Sequence, residues 1–340
     1  MRSLNKASLI AEVTRGTLTE SVHHGHIAAV DFKGRMIAYA GDPDDYGYMR
    51  STAKLLQTIP LLEAGGDQQF GLTEAETALC CASHNGEPEH TNAARMILRK
   101  LGLSESALEC GPQEPLFGPA ADALKQMGLP PSQLHNNCSG KHAGMLALAQ
   151  MMNVSIHQYT HSEDPVQQKM LDTIADMCGV PANRITFGTD GCGVPVFAVP
   201  LASLAYAYAR LGAPDELPAR RAAACRTIIR AIRSHPYYVA GTDRFDTRLA
   251  EVTRGRVIGK MGAEGVFALT IPERGIGLAV KIADGTERAL YPAAAEALVQ
   301  LGALTAEEAG QLAEFHYPRV INRRGEIVGA IRPAFRMQQS

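Results

Sequence analysis

Apolar positions along the chain change period between its ends and its middle. Near the N-terminus, Ile27-Ala28-Ala29-Val30 and Met36-Ile37-Ala38-Tyr39 flank a polar turn at Lys33-Gly34, which predicts a β-hairpin. Near the C-terminus, residues 265–271 and 276–282 flank Pro272-Glu-Arg-Gly275 and predict a second one. Between them the spacing follows the helical repeat, predicting helices around 52–63, 74–82, 90–101, 140–152, 164–178, 198–211 and 219–234. Further helices are expected over 288–301 and from a Thr305 cap to about 314, and one more short strand over 327–331. Strands from both ends with helices between them predict an α+β protein, an antiparallel sheet built from both chain ends with flanking helices. No fixed repeat or low-complexity linker divides the chain. The expectation is a single domain over 1–340, with room for a helical subdomain in the middle. The breaks at 111–119 and Pro130-Pro131 read as turns within one unit.

Composition narrows the classes. At 340 residues and 46% hydrophobic content the chain can bury a core without disulfide staples. Thirty-three basic against 35 acidic residues leave a formal charge of −2, which weighs against nucleic-acid binding. The high apolar share weighs against disorder. The opening Met1-Arg2-Ser3-Leu4-Asn5-Lys6 carries weak positive charge, but its apolar stretch stops at Ala11, short of a secretory signal. No run approaches the roughly 18 apolar residues of a spanning helix, so the expected location is the cytoplasm. Seven cysteines, an odd count, point to thiols, ligands or nucleophiles rather than a disulfide framework.

Four strings carry candidate chemistry. Arg50-Ser51-Thr52-Ala53-Lys54 opens an apolar helix and sets Ser51 and Lys54 one turn apart. A neutral lysine there could take the serine proton, and the helix N-terminus would favour developing negative charge. Ser83-His84-Asn85-Gly86-Glu87 forms a polar turn at a helix end, and Gly259-Lys260-Met261-Gly262 precedes the second hairpin. In that order, Ser-x-x-Lys, Ser-x-Asn and Lys-x-Gly follow the layout of serine acyl-transfer enzymes, with Met261 where a hydroxyl would bind a carboxylate. Two pairs follow, Ser51 with Lys54 and Ser83 with Lys260. The fourth string, Asn136-Asn137-Cys138-Ser139-Gly140-Lys141-His142, is joined by Thr189-Asp190-Gly191-Cys192-Gly193 some fifty residues on. Cys138 and Cys192 with a nitrogen donor could hold a tetrahedral zinc ion. The residues alone favour His142 as that nitrogen, because a lysine must first lose its proton.

Taken together, these strings resemble the rhizobial-type L-asparaginase family, the asparaginase II family. The matching stretches run from Met49-Arg50-Ser51-Thr-Ala-Lys54 through Cys81–Glu87, His135–Gly144 and Gly188–Pro195 to Gly259-Lys260-Met-Gly262. The resemblance implies a serine β-lactamase-like fold, a homodimer, and hydrolysis of L-asparagine to L-aspartate and ammonia. It implies Ser51–Lys54 and Ser83–Lys260 as catalytic tandems, and a Zn2+ site of Cys138, Lys141 and Cys192, with Lys141 in place of His142. Asp190 would then face the substrate or stand behind the metal, and Arg50, His84 and His142 are further expected substrate contacts. The expected chemistry is a two-step acyl transfer, with backbone N–H groups at a helix start holding the oxyanion. Two other asparaginase types fit poorly, since Thr-Gly-Gly-Thr and Gly-Thr-Val-Gly strings are missing. The alternatives are a related serine amidase acting on glutamine or another amide such as a β-lactam, or a zinc-containing amino-acid-binding protein without turnover.

Overall fold

The computed structural model describes residues 6–339. In chain order the strands are β1 (Ser8–Arg15), β2 (Leu18–Asp31), β3 (Met36–Ala40), β4 (Tyr46–Tyr48), β5 (Thr186–Thr189), β6 (Pro195–Pro200), β7 (Ile258–Gly262), β8 (Val266–Ile271), β9 (Ile276–Ile282), β10 (Arg319–Ile321), β11 (Ile327–Pro333) and β12 (Gln338–Gln339). The helices are α1 (Lys54–Glu63), α2 (Gly66–Gln69), α3 (Glu74–Cys80), α4 (Pro88–Lys100), α5 (Gly118–Gln126), α6 (Ser139–Met151), α7 (Pro165–Cys178), α8 (Leu201–Gly212), α9 (Ala219–Ser234), α10 (Phe245–Val252), α11 (Leu290–Gln300), α12 (Ala306–Gln311) and α13 (Ala313–His316). The chain divides into two compact units. One comprises the segments up to Thr52, Ala198–Ala213 and from Arg248 onward; the other comprises Ala53–Phe197 and Pro214–Thr247.

The first unit is built on a nine-stranded sheet ordered β10-β11-β1-β2-β9-β8-β7, with β3 on β2 and β12 on β3. Its recorded pairings are antiparallel, as expected from strands supplied by both chain ends. The sheet turns on β2, whose first half pairs with β1 while residues 25–31 run against β9, from Gly25 opposite Ile282 to Asp31 opposite Ile276. Strands β8 and β9 are buried at every position, so their near-continuous apolar sequence is that of strands covered on both faces. Helix α8 packs on β2, β8 and β9, and α11 packs on β8 and β9.

The second unit is a helical cluster around α1, which meets α3, α6, α7 and α9. Every residue of α1 from Lys54 to Leu61 is buried, as are the first eleven residues of α6. A helix buried all round needs small side chains where its neighbours approach. In Ser139-Gly140-Lys141-His142-Ala143-Gly144 the glycines meet that need: a Cβ on Gly140 would lie 2.2 Å from the Leu79 carbonyl oxygen of α3.

Four elements depart from the sequence expectation. The helix expected from residue 198 starts at Leu201, because residues 195–200 form β6 and Pro200 precedes the first helical turn. The supposed turn at 111–119 runs into α5, whose Pro119 occupies the opening position that tolerates proline. Strand β1 begins in the stretch weighed as a signal segment, and β2 extends nine residues ahead of the predicted Ile27.

Candidate active site

The second unit gathers most of the predicted residues. Lys54 heads α1, Ser83 follows α3, Cys138 and Lys141 open α6, and Cys192 lies in the turn after β5. Asn136 fixes the start of α6 by accepting the Cys138 N–H on Oδ1 at 2.8 Å, while its Nδ2 donates to the Cys110 and Gly111 carbonyls. Asn137 Oδ1 lies 3.0 Å from Cys138 Sγ.

Lys54 is 1% exposed and its Nζ has three acceptors: the Ala82 carbonyl at 2.6 Å, Ser83 Oγ at 2.8 Å and Cys138 Sγ at 3.1 Å. The sequence pattern pairs Lys54 with Ser51; the hydroxyl on its amine in the structure is that of Ser83. Ser83 is itself buried, and its N–H donates to the Val239 carbonyl at 2.9 Å.

Beside this pair lies a second buried lysine. Lys141 Nζ donates to Cys192 Sγ at 2.9 Å. The hydrogen bond from Cys138, against the opposing effect of burial and helped by the Lys141 charge, lowers the Cys192 thiol well below its ordinary range. That same hydrogen bond, with burial, pushes Cys138 up. Burial alone would push Lys141 down, but the Cys192 and Cys138 sulfurs and Asp190 outweigh it and hold the amine protonated. The Lys141 amine and the Cys192 sulfur thus favour opposite charges, with Cys138 beside them. Cys110 is buried nearby and was not among the predicted residues; burial, then the charges of Cys138 and Cys192, pushes its thiol up to about 12.

Two thiols and an amine at one point fit a soft divalent cation such as zinc, which would displace the protons now on Lys141 and Cys138. Among the described residues no three His, Cys, Asp or Glu side chains form a ligand group, so the set requires the lysine nitrogen. His142 has Nδ1 on the Tyr159 hydroxyl at 2.8 Å and a buried Nε2 without a protein partner. Burial, reinforced by the Lys141 charge, lowers it to about 3 and keeps it neutral. Asp190 closes the turn that presents Cys192, its N–H on the Val194 carbonyl and its carbonyl on the Gly193 N–H.

His84, expected to face the substrate, is turned inward. It is fully buried, Nε2 shares a hydrogen bond with Ser139 Oγ at 2.9 Å, and Nδ1 accepts the Gly86 N–H. Its ring stacks on His90, which stacks on Tyr237. With both nitrogens used inside the protein, it holds the Ser83 loop rather than a ligand.

The remaining predicted residues belong to the first unit. Ser51 lies in the 3-10 turn Arg50–Ala53, which leads into α1. Arg50 sits at φ +49°, a left-handed conformation that is uncommon for a residue with a Cβ, and its guanidinium is 4.0 Å from Glu264. Lys260 is fully buried on the edge strand β7, with Nζ on the Met261 carbonyl at 2.7 Å.

A hydrogen-bonded group that spacing did not reveal joins Asn85 and Glu87 to Thr242 and Arg244. Asn85 and Glu87 belong to a string already singled out; for the other half the signal is Gly241-Thr242-Asp243, which repeats the Gly188-Thr189-Asp190 of the cysteine loop.

Comparison with known proteins returns the family described as L-asparaginase II, matched over residues 11–333. No curated protein matches. Solved structures that resemble the chain include a beta-lactamase from Mycobacterium bovis, 15% identical over 86% of this chain and 95% of that one, TM-score 0.41. Mglu in its native form is 15% identical over 82% of this chain and 64% of that one, TM-score 0.46. The D-alanine carboxypeptidase AmpC from Burkholderia cenocepacia is 14% identical over 82% and 93%, TM-score 0.38. The α+β class itself stands on the strand order.

Proposed function

The chain belongs to the L-asparaginase II family, and from that premise we propose that this amidohydrolase converts L-asparagine to L-aspartate and ammonia by Ser–Lys acyl transfer. The observation that carries the reading is the 2.8 Å contact of Lys54 Nζ with Ser83 Oγ. In its neutral form Lys54 keeps two N–H donors on the Ala82 carbonyl and Cys138 and turns its lone pair to the Ser83 hydroxyl. It takes that proton as Oγ attacks the side-chain amide carbon. The protonated amine then gives the proton to the departing nitrogen, ammonia leaves, and an acyl-serine remains. Water, deprotonated by Lys54 in turn, releases L-aspartate.

Ser51 and Lys260, which the motif pattern pairs with Lys54 and Ser83, enter this proposal as further members of the site, to be tested by substitution. Cys138, Lys141 and Cys192 would hold a zinc ion, whose charge when bound would fix the two sulfurs and help orient the substrate. A homodimer acting in the cytoplasm completes the reading. Among the described residues no helix is long and apolar enough to cross a membrane.

Ammonia release from L-asparagine and L-glutamine, with ring opening of a β-lactam followed separately, tests the assignment. One methylene distinguishes the two amino acids, so asparagine should lead in kcat/KM by about 10-fold or more. No turnover of asparagine, or equal turnover of both amino acids, overturns it. Tight asparagine binding without ammonia would instead support an amino-acid-binding protein.

A further inference from the structure

Asn85 lies two residues after Ser83, and the contacts around it end on a cation that the reaction above does not use. Glu87 is 6% exposed and accepts the Thr242 N–H at 2.9 Å, the Thr242 hydroxyl at 2.7 Å and Asn85 Nδ2 at 3.1 Å. Burial pushes the Glu87 carboxyl up, but these hydrogen bonds outweigh it and hold the group below its ordinary range. Asn85 Nδ2 also donates to the Thr242 carbonyl at 2.9 Å. With both amide hydrogens committed, Asn85 has one orientation, and its Oδ1 accepts Arg244 Nη1 at 3.0 Å. Gly241, at φ +114°, lets the two segments close, since a Cβ there would lie 2.5 Å from Glu87 Oε1.

The chain therefore holds Arg244 through a buried carboxylate and an oriented amide, across a separation of 159 residues. Among the described residues its guanidinium has a neutral oxygen as side-chain partner and no carboxylate within ion-pair distance. A half-buried guanidinium gains most from an anion that can accept its remaining donors in a fork. Had a carboxylate held it instead, its charge would already be spent. An asparagine-like substrate offers one carboxylate that the chemistry leaves intact.

We propose that Arg244 binds the α-carboxylate of the amino-acid substrate, held in place by the Glu87–Asn85 pair; this rests on the reading that the Ser83 loop is where the substrate reacts. Arg244 thereby selects amino-acid amides over simple amides. Asn85 and Glu87 are positioning residues that act through it.

The test compares L-asparagine with 3-aminopropanamide, which is asparagine without its α-carboxylate. Arg244→Gln should raise KM for asparagine about 10–100-fold, the range for a lost charge-assisted pair, with a smaller change in kcat. KM for 3-aminopropanamide should stay within about threefold, because the contact is absent from both complexes. Asn85→Asp, which supplies Arg244 with a counter-charge, should raise the asparagine KM in the same direction. Calorimetry with L-aspartate and with β-alanine, which lacks the α-carboxylate, reads the same contrast without turnover. Equal losses on both amides, or no loss on asparagine, overturn the inference. If the wild type releases no ammonia from asparagine, the proposed function fails, yet aspartate binding that depends on Arg244 would still uphold this site. If asparagine is hydrolysed and aspartate binding ignores Arg244, this inference alone falls.

Discussion

Burying an ammonium group is costly unless each of its donors finds an acceptor, and Lys54 and Lys141 meet that condition in different ways. Lys141 is matched by the Cys192 sulfur, which with Cys138 and Asp190 outweighs burial and raises its hold on the proton. Lys54 faces a carbonyl, a hydroxyl and a cysteine sulfur. That contrast separates a lysine set against a serine hydroxyl from one set against a cysteine sulfur. Ser83→Ala and Lys54→Met should each lower kcat for asparagine by at least about 10²-fold, as expected when a positioned nucleophile or base is lost. Ser51→Ala should do the same if the Ser51–Lys54 tandem of the motif pattern takes part. Ammonia release by each purified variant, with a thermal melt to show that it folds, checks this. A variant within a few-fold of wild type removes that residue from the chemistry.

At the scale of elements, Lys141 and the two site-bearing loops depend on how closely α3 and α6 approach. A methyl group on Gly140 would press into the Leu79 carbonyl at 2.2 Å and into Leu79 Cγ at 2.7 Å, and backbone oxygen cannot move aside as a side chain can. Overpacking of this kind costs about 1–3 kcal/mol. Gly140→Ala should therefore lower Tm by several degrees, at roughly 2–4 °C per kcal/mol or somewhat less for a chain of this size. Activity should fall with it, since Ser83 follows α3. A melt within about 1 °C of wild type would show that the two helices separate at little cost. Sequence periodicity located these helices well, because a buried face leaves an apolar mark every turn. It misplaced the start of α8 at Pro200 and missed α5 at Pro119, where proline starts a helix as readily as it stops one.

For the whole molecule, a sheet drawn from both chain ends needs pairings such as Gly25 with Ile282, which place its registry beyond any local string. The cysteine site depends on distance in the same way, with Lys141 and Cys192 separated by 51 residues. The metal-free purified chain and the zinc-loaded one should differ measurably. Elemental analysis should find about one zinc per chain, the count for a single tetrahedral site. Cys138→Ala, Cys192→Ala and Lys141→Ala should each lose it. Absence of zinc from protein prepared without chelator would end the proposal. Retention of zinc in Lys141→Ala would move the nitrogen ligand to His142.

The residues themselves determined most of the element types, the helical middle and the candidate strings from Arg50 to Lys260, because periodicity, turn residues and short-range motifs are local properties. Tertiary structure alone decided which partners meet. It set Ser83 rather than Ser51 on the Lys54 amine, turned His84 inward, and joined Arg244 to Asn85. A side chain's type limits what it can bond to. Which candidate it reaches depends on the packing of whole helices and strands against one another, a sum over distant contacts that no local stretch of sequence contains.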